Sequence, residues 1–186
     1  MTPFQALRGL HILLGTVALF LGPLAMFARK RPGRHTRAGE AYHWTVLAVC
    51  LSALAMSVLD WRRIWWFAPI AIFSYAFAFY GYLAAKRRWD GWLIAHIIGQ
   101  GGSYIAMTTA LLVVHWYQAY GDAGLTSPWP WLLPTIVGSV FISRAVERAR
   151  GHRTSRSKGY LSGLRTRRAG PAREARASGP DSFPSL

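Results

Sequence analysis

Apolar residues come in five long runs, at 10–28, 41–59, 64–85, 92–117 and 128–146, separated by short polar joins. A helix rises about 1.5 Å per residue, so each run covers a hydrocarbon core about 30 Å thick, the longer ones with some tilt. Pro23, Pro69 and Pro134 fall inside runs, which membrane helices tolerate because neighbouring groups re-satisfy the freed carbonyls. No internal repeat is visible. The pattern predicts an all-α integral membrane bundle of about five transmembrane helices over residues 1–149. From 150 to 186, Gly, Ser, Pro and Arg dominate and apolar residues are too sparse to form a core, so this stretch is expected to be a disordered basic tail.

Composition sharpens that reading. The 186 residues are 52% hydrophobic, yet carry 22 Lys and Arg against 7 Asp and Glu. Apolar and basic blocks are therefore segregated along the chain, which is a membrane pattern; a soluble nucleic-acid binder does not repeat spanning-length apolar runs. The first run is not read as a cleaved signal: only Arg8 precedes it, no A-x-A site follows, and Arg29-Lys30-Arg31 reads as a stop-transfer flank. Cys50 is the single cysteine, so no internal disulfide framework exists.

Charge sets an orientation. Of the 22 basic residues, 19 fall in residues 29–40, 86–91 and 144–186, and 3 in the N-terminus and the 60–63 turn. With five spans the three basic segments share one side, assigned to the cytoplasm by the positive-inside rule. A multi-pass protein of the cell (plasma) membrane is expected, with its N-terminus outside and its tail inside. Trp61, Trp65, Trp66, Trp129 and Trp131 suit an outer aromatic belt, and Trp89 and Trp92 an inner one. The tail reads as a topology anchor able to attract anionic lipid headgroups, at about 1 kcal/mol per basic residue near the surface. Nucleic acid is not expected as a partner, because no aromatic platform is interleaved with the charge.

Histidines are the candidate chemistry. By depth they sort into an outer layer, His11 and His115, and an inner one, His35, His43 and His96. At 100° per residue His11 shares a face with Gly15, Ala18 and Gly22, His96 with Gly99, Ser103 and Ala106, and His43 with Cys50 and Ser57. Such small-residue stripes let helices approach closely and turn those histidines inward. His35 is read as lying in the first inner loop and His152 in the tail, both solvated. Imidazoles on facing membrane helices can ligate haem b, which makes His43 with His96, and His11 with His115, the candidate pairs. His96 and His115 leave α-helical geometry about 100° apart, which favours at most one inner site. Glu40 and His43 form a single Glu-x-x-His, of which di-iron bundles use two.

The set His11, Gly15, Gly22, then His35, Gly39, Tyr42, then His96, Ser103-Tyr104-Ile105 and Thr109-Ala110, then Trp131, Pro134, Gly138 resembles a family of bacterial membrane proteins catalogued as domain of unknown function 2306. The resemblance covers roughly residues 8–148. In that family the inner loop reads His-Arg-x-x-Gly-x-x-Tyr; here Thr36 stands at the arginine position and Arg37 follows it. The family has no settled activity, so the resemblance implies a membrane location and no reaction.

No hydrolase elbow, Walker loop, dinucleotide turn or HExxH motif is present. The leading expectation is a non-catalytic membrane protein, a scaffold, subunit or regulator that meets a membrane partner or a second copy of itself. The alternative is a b-type haem or metal-binding electron-transfer protein. One consequence tests the orientation directly. A reporter fused at Leu186 is expected to be active only in its cytoplasmic form; activity of a periplasmic-type reporter there would overturn the five-span arrangement or its direction.

Overall fold

Thr2 sets the start of the first helix. Its Oγ1 accepts from the Gln5 backbone N–H at 3.3 Å, while its own N–H donates to Gln5 Oε1 at 3.0 Å. This reciprocal pairing satisfies donors that a helix start leaves bare, and Pro3 fits the first turn because its missing N–H is not needed there. In this computed structural model, which describes residues 2–28 and 33–151, α1 runs Pro3–Phe27, α2 Arg34–Leu59, α3 Trp61–Ile64, α4 Phe67–Arg87, α5 Trp92–Tyr120 and α6 Asp122–Thr126. Residues 129–151 form α7. The basic triplet at 29–31, His152 and the rest of the tail lie outside the described residues.

Among the described residues every regular element is a helix. Five stretches are long and apolar enough to cross a membrane: Pro3–Phe27, Arg34–Leu59, Phe67–Arg87, Trp92–Tyr120 and Asp122–Gly151. Two compact units are distinguished, Met1–Val146 and Glu147–Leu186; of the second, residues 147–151 are described and are helical.

The helices extend beyond their apolar runs. α2 begins at Arg34, immediately after Gly33, whose φ of +119° is a conformation that side chains disfavour. Residues 34–40, expected as loop, are the first two turns of that helix. Apolar patterning marks what a bilayer covers, whereas backbone hydrogen bonding continues through polar residues, here from Arg37 N–H to Gly33 O at 2.9 Å. Between α4 and α5 the chain reverses through Arg88, in the left-handed region at φ +49°, and Gly91 at φ +80°. Side-chain bonds give the pairings. His11 near the start of α1 meets Ser52 late in α2, and His96 near the start of α5 meets Gly81 late in α4. Both neighbouring pairs are therefore antiparallel.

The packing is small inside and large outside. Ala18, Ala78 and Ala84 are fully covered, and the largest fully buried side chains are only Val46, Val113, Ser57 and Ser103, whereas Phe20, Phe27, Phe73, Trp129 and Phe141 are exposed. Lipid tails are as apolar as leucine, so helices in a membrane gain by close packing and polar bonds, not by hiding bulk. The tightest approach is between α4 and α5. A Cβ added at Gly99 would stand 2.5 Å from Gly81 N and 2.6 Å from Gly81 Cα, and one at Gly81 would stand 2.8 Å from Gln100 N. These are backbone atoms and have no way to move aside. On α1, Gly22 lies under the Tyr104 ring, and on α7, Gly138 lies under Ile105 of α5.

Gly99→Ala is therefore expected to push α4 from α5 and destabilise the detergent-solubilised protein by about 1–3 kcal/mol, the usual cost of overpacking. Gly15→Ala, where an added Cβ meets nothing within 4 Å, should leave the unfolding midpoint unchanged or raise it. Equal midpoints for the two variants would contradict the close approach.

Candidate functional site

Away from the buried Ser52, Ser57 and Ser74, His35, His43 and His96 lie toward the end of the helices where α1 passes to α2 and α4 to α5. There the Gly81–Gly99 approach brings His96 against α4. Its Nδ1 stands 2.9 Å from the Gly81 carbonyl oxygen, and a carbonyl can only accept, so Nδ1 carries a proton. One turn on, Gln100 Nε2 donates to Ala78 O at 3.0 Å. His35, in the first turn of α2, donates from Nδ1 to Ala25 O of α1 at 2.8 Å. The His35 and His96 rings then lie 6.2 Å apart between centroids, edge to face at 83°.

His43 occupies a different niche of the same layer. It is 2% exposed and stacks on Tyr82 of α4 at 4.1 Å and 11°. Trp44 stands at 5.4 Å and Tyr75 at 5.8 Å. Its Nδ1 is buried with no hydrogen-bond partner. On Tyr82, Lys86 Nζ sits 5.3 Å from the ring centroid and pairs with Glu40 Oε1 at 2.6 Å. The Glu40 carboxylate of the Glu-x-x-His is thus joined to a lysine across the α2–α4 seam. Both ends of that pair are solvent-accessible, where ion pairs contribute little to stability.

Tyr42, the neighbour of His43, points to the other side of α2. Its hydroxyl bonds Ser103 Oγ of α5 at 2.8 Å in a buried setting and lies 4.0 Å from Met107 Sδ. Tyr104 donates to Leu19 O of α1 at 3.2 Å. Farther along, His11 Nδ1 and Ser52 Oγ are 2.8 Å apart. Because Ser52 donates its own proton to Val49 O at 2.8 Å, His11 is the donor in that pair. His115 is exposed and bonds back to Leu111 O of its own helix at 3.3 Å.

So the inward faces expected for His11, His43 and His96 lead to three separate partners: Ser52, the Tyr82 ring and the Gly81 carbonyl. His96 is brought beside His35, which the apolar pattern places in a loop and the structure places in the first turn of α2. A signal for it was present, since His35, Gly39, Tyr42 and Val46 follow helical spacing on one face, and the last two are buried. The stacking of His43 on Tyr82 and the Glu40–Lys86 pair join distant segments and have no local signature. Among the described residues, no group of three or more His, Cys, Asp or Glu stands together as a metal site.

No family model, curated protein or solved structure matches this chain. Its function is therefore read from the arrangement of its own residues.

Proposed function

We propose that this chain is a multi-pass protein of the cell membrane that acts by binding, as a scaffold, subunit or regulator, and whose interior histidines fasten its helices together. One observation carries the reading. His11, His35 and His96 each donate Nδ1–H to an acceptor on a neighbouring helix: Ser52 on α2, Ala25 on α1 and Gly81 on α4. Interhelical bonds of this kind contribute about 0.6 kcal/mol on average in membranes and up to about 1.7. The N-terminus faces outside and the tail the cytoplasm, as the charge asymmetry supports. There the tail meets anionic headgroups, and the exposed apolar helix faces meet lipid, a second copy or another membrane protein.

A second reading keeps haem b, and a specific spacing favours it. Two imidazoles on opposite sides of one metal, with bonds of about 2 Å, have centroids about 6 Å apart, which is the His35–His96 separation. An Nδ1–H bond to a carbonyl is also the usual outer partner of a metal-bound imidazole. Gly39, one turn from His35, has nothing within 4 Å of an added Cβ. On this reading His35 with His96, in place of His43 with His96, would hold the iron, and the group would supply one-electron chemistry.

Alanine and asparagine variants at positions 35 and 96 separate the two. Asparagine keeps an N–H donor near the Nδ1 position but is a poor haem ligand. With histidines as fasteners, alanine lowers the thermal stability of the purified full chain by about 0.6–2 kcal/mol, and asparagine restores most of it. An asparagine variant as unstable as alanine would contradict that role. A b-type reduced-minus-oxidised spectrum in the parent protein, lost in both asparagine variants, would establish the haem reading.

A further inference from the structure

The seam between α2 and α4 ends in a charge pattern that neither functional reading uses. Where α1 passes to α2 and α4 to α5, Glu40 of α2 and Lys86 of α4 join across the seam in a 2.6 Å ion pair, so the only carboxylate at this point is already matched. Arg37, one turn before Glu40, and Arg87, beside Lys86, are both exposed, and neither forms an ion pair among the described residues. Arg88 lies over the Trp92 ring of α5, 5.5 Å from its centroid. The end of the seam thus presents two uncompensated guanidinium groups beside a neutralised pair.

Helical spacing continues this rim into the apolar part of the same seam. On α2, Arg37, Trp44 and Leu51 follow one another at intervals of seven residues, and on α4 Lys86, Phe79 and Ile72 do the same, so each set lies along one line of its helix. Trp44, Leu51, Ile72 and Phe79 are all exposed. Leu51, Ile72 and Phe79 line a groove of about 260 Å³ between the two helices, smaller than the roughly 300–1,000 Å³ of sites that enclose a drug-sized molecule and shaped for a chain lying along the seam. Both lines read cation, aromatic ring, aliphatic chain. That is the order of an anionic phospholipid from its phosphate, through the headgroup level where tryptophan settles, into hydrocarbon.

Charge selects the head. Phosphatidylcholine carries its own cation beside the phosphate, whereas phosphatidylglycerol leaves the phosphate charge unmatched, and a guanidinium fork binds phosphate in two-point fashion. We propose that the α2–α4 seam is a binding site for an anionic phospholipid of the phosphatidylglycerol class, its phosphate held by Arg37 and Arg87 and one acyl chain laid along Leu51, Ile72 and Phe79. The site is built from the folded helices and is separate from the attraction of the basic tail to headgroups. It rests on the reading that these helices span a membrane.

The test uses the full chain in phosphatidylcholine liposomes doped with brominated phosphatidylglycerol or, in parallel, brominated phosphatidylcholine. Quenching of Trp44 is isolated by comparison with Trp44→Phe. Phosphatidylglycerol is expected to quench Trp44 more strongly at equal fraction and to saturate, while phosphatidylcholine quenches in proportion to its amount. Arg37→Gln combined with Arg87→Gln should weaken the preference about tenfold, as for two basic residues near a surface. Ala76→Phe, which fills the groove from its exposed side, should remove it with the tail untouched. Equal quenching by the two lipids in the inserted parent would overturn the proposal. So would a preference that persists undiminished in either variant, since the tail would then be its source. A chain that carbonate washing strips from the liposomes would contradict the membrane reading itself, and the site with it.

Discussion

Two helix backbones touch only where no side chain stands between them, and α4 and α5 touch in this way at Gly81 against Gly99. Any Cβ at either position would collide with backbone atoms of the partner helix. The approach brings the Gly81 carbonyl within reach of His96 and the Ala78 carbonyl within reach of Gln100. With α5 fixed in this register, Ser103 faces Tyr42 of α2, and Tyr104 covers Gly22 while bonding Leu19 of α1. A chain of polar contacts thus runs from α4 through α5 to both earlier helices, and it starts from the absence of two side chains.

The same constraint explains why the bundle has so modest an apolar interior. Among the described residues most of the covered positions are alanines, valines, serines and glycines, with Tyr42, His43, Cys50 and Met107 beside them, and no phenylalanine or tryptophan is buried. In water that distribution would expose a large apolar surface; against hydrocarbon it costs nothing, and association has to come from packing and hydrogen bonds. Histidine suits the second task because one ring offers a donor at Nδ1 while its body packs as a flat apolar plate. Three of the interior histidines fit that description, and His43, stacked on Tyr82 without a partner for Nδ1, does not.

The helical class, the five long apolar helices and the inward faces of His11, His43 and His96 were legible in the sequence, because each is a matter of local period: about 20 apolar residues for a span and a 100° step for a face. Gly99 was legible as a contact residue for the same reason. Its partner Gly81 was not, since a lone glycine in an apolar run has no pattern that points to another helix. His35 reads as loop because the polar residues of 34–40 obscure helical spacing, although α2 begins at Arg34. What His43 and His96 meet was also beyond reach, because Tyr82 and Gly81 belong to α4, which sequence period relates to neither.

The helices are joined by three histidines, His11, His35 and His96, that donate from Nδ1. Nitrogen-15 spectroscopy of imidazole-labelled protein in lipid reads this directly, because the protonated and unprotonated ring nitrogens differ widely in chemical shift. With single His→Asn changes for assignment, His11, His35 and His96 are predicted to show a protonated Nδ1. Protonation at Nε2 with a bare Nδ1 in His35 or His96 would contradict the account, since neither ring could then donate to the carbonyl it faces.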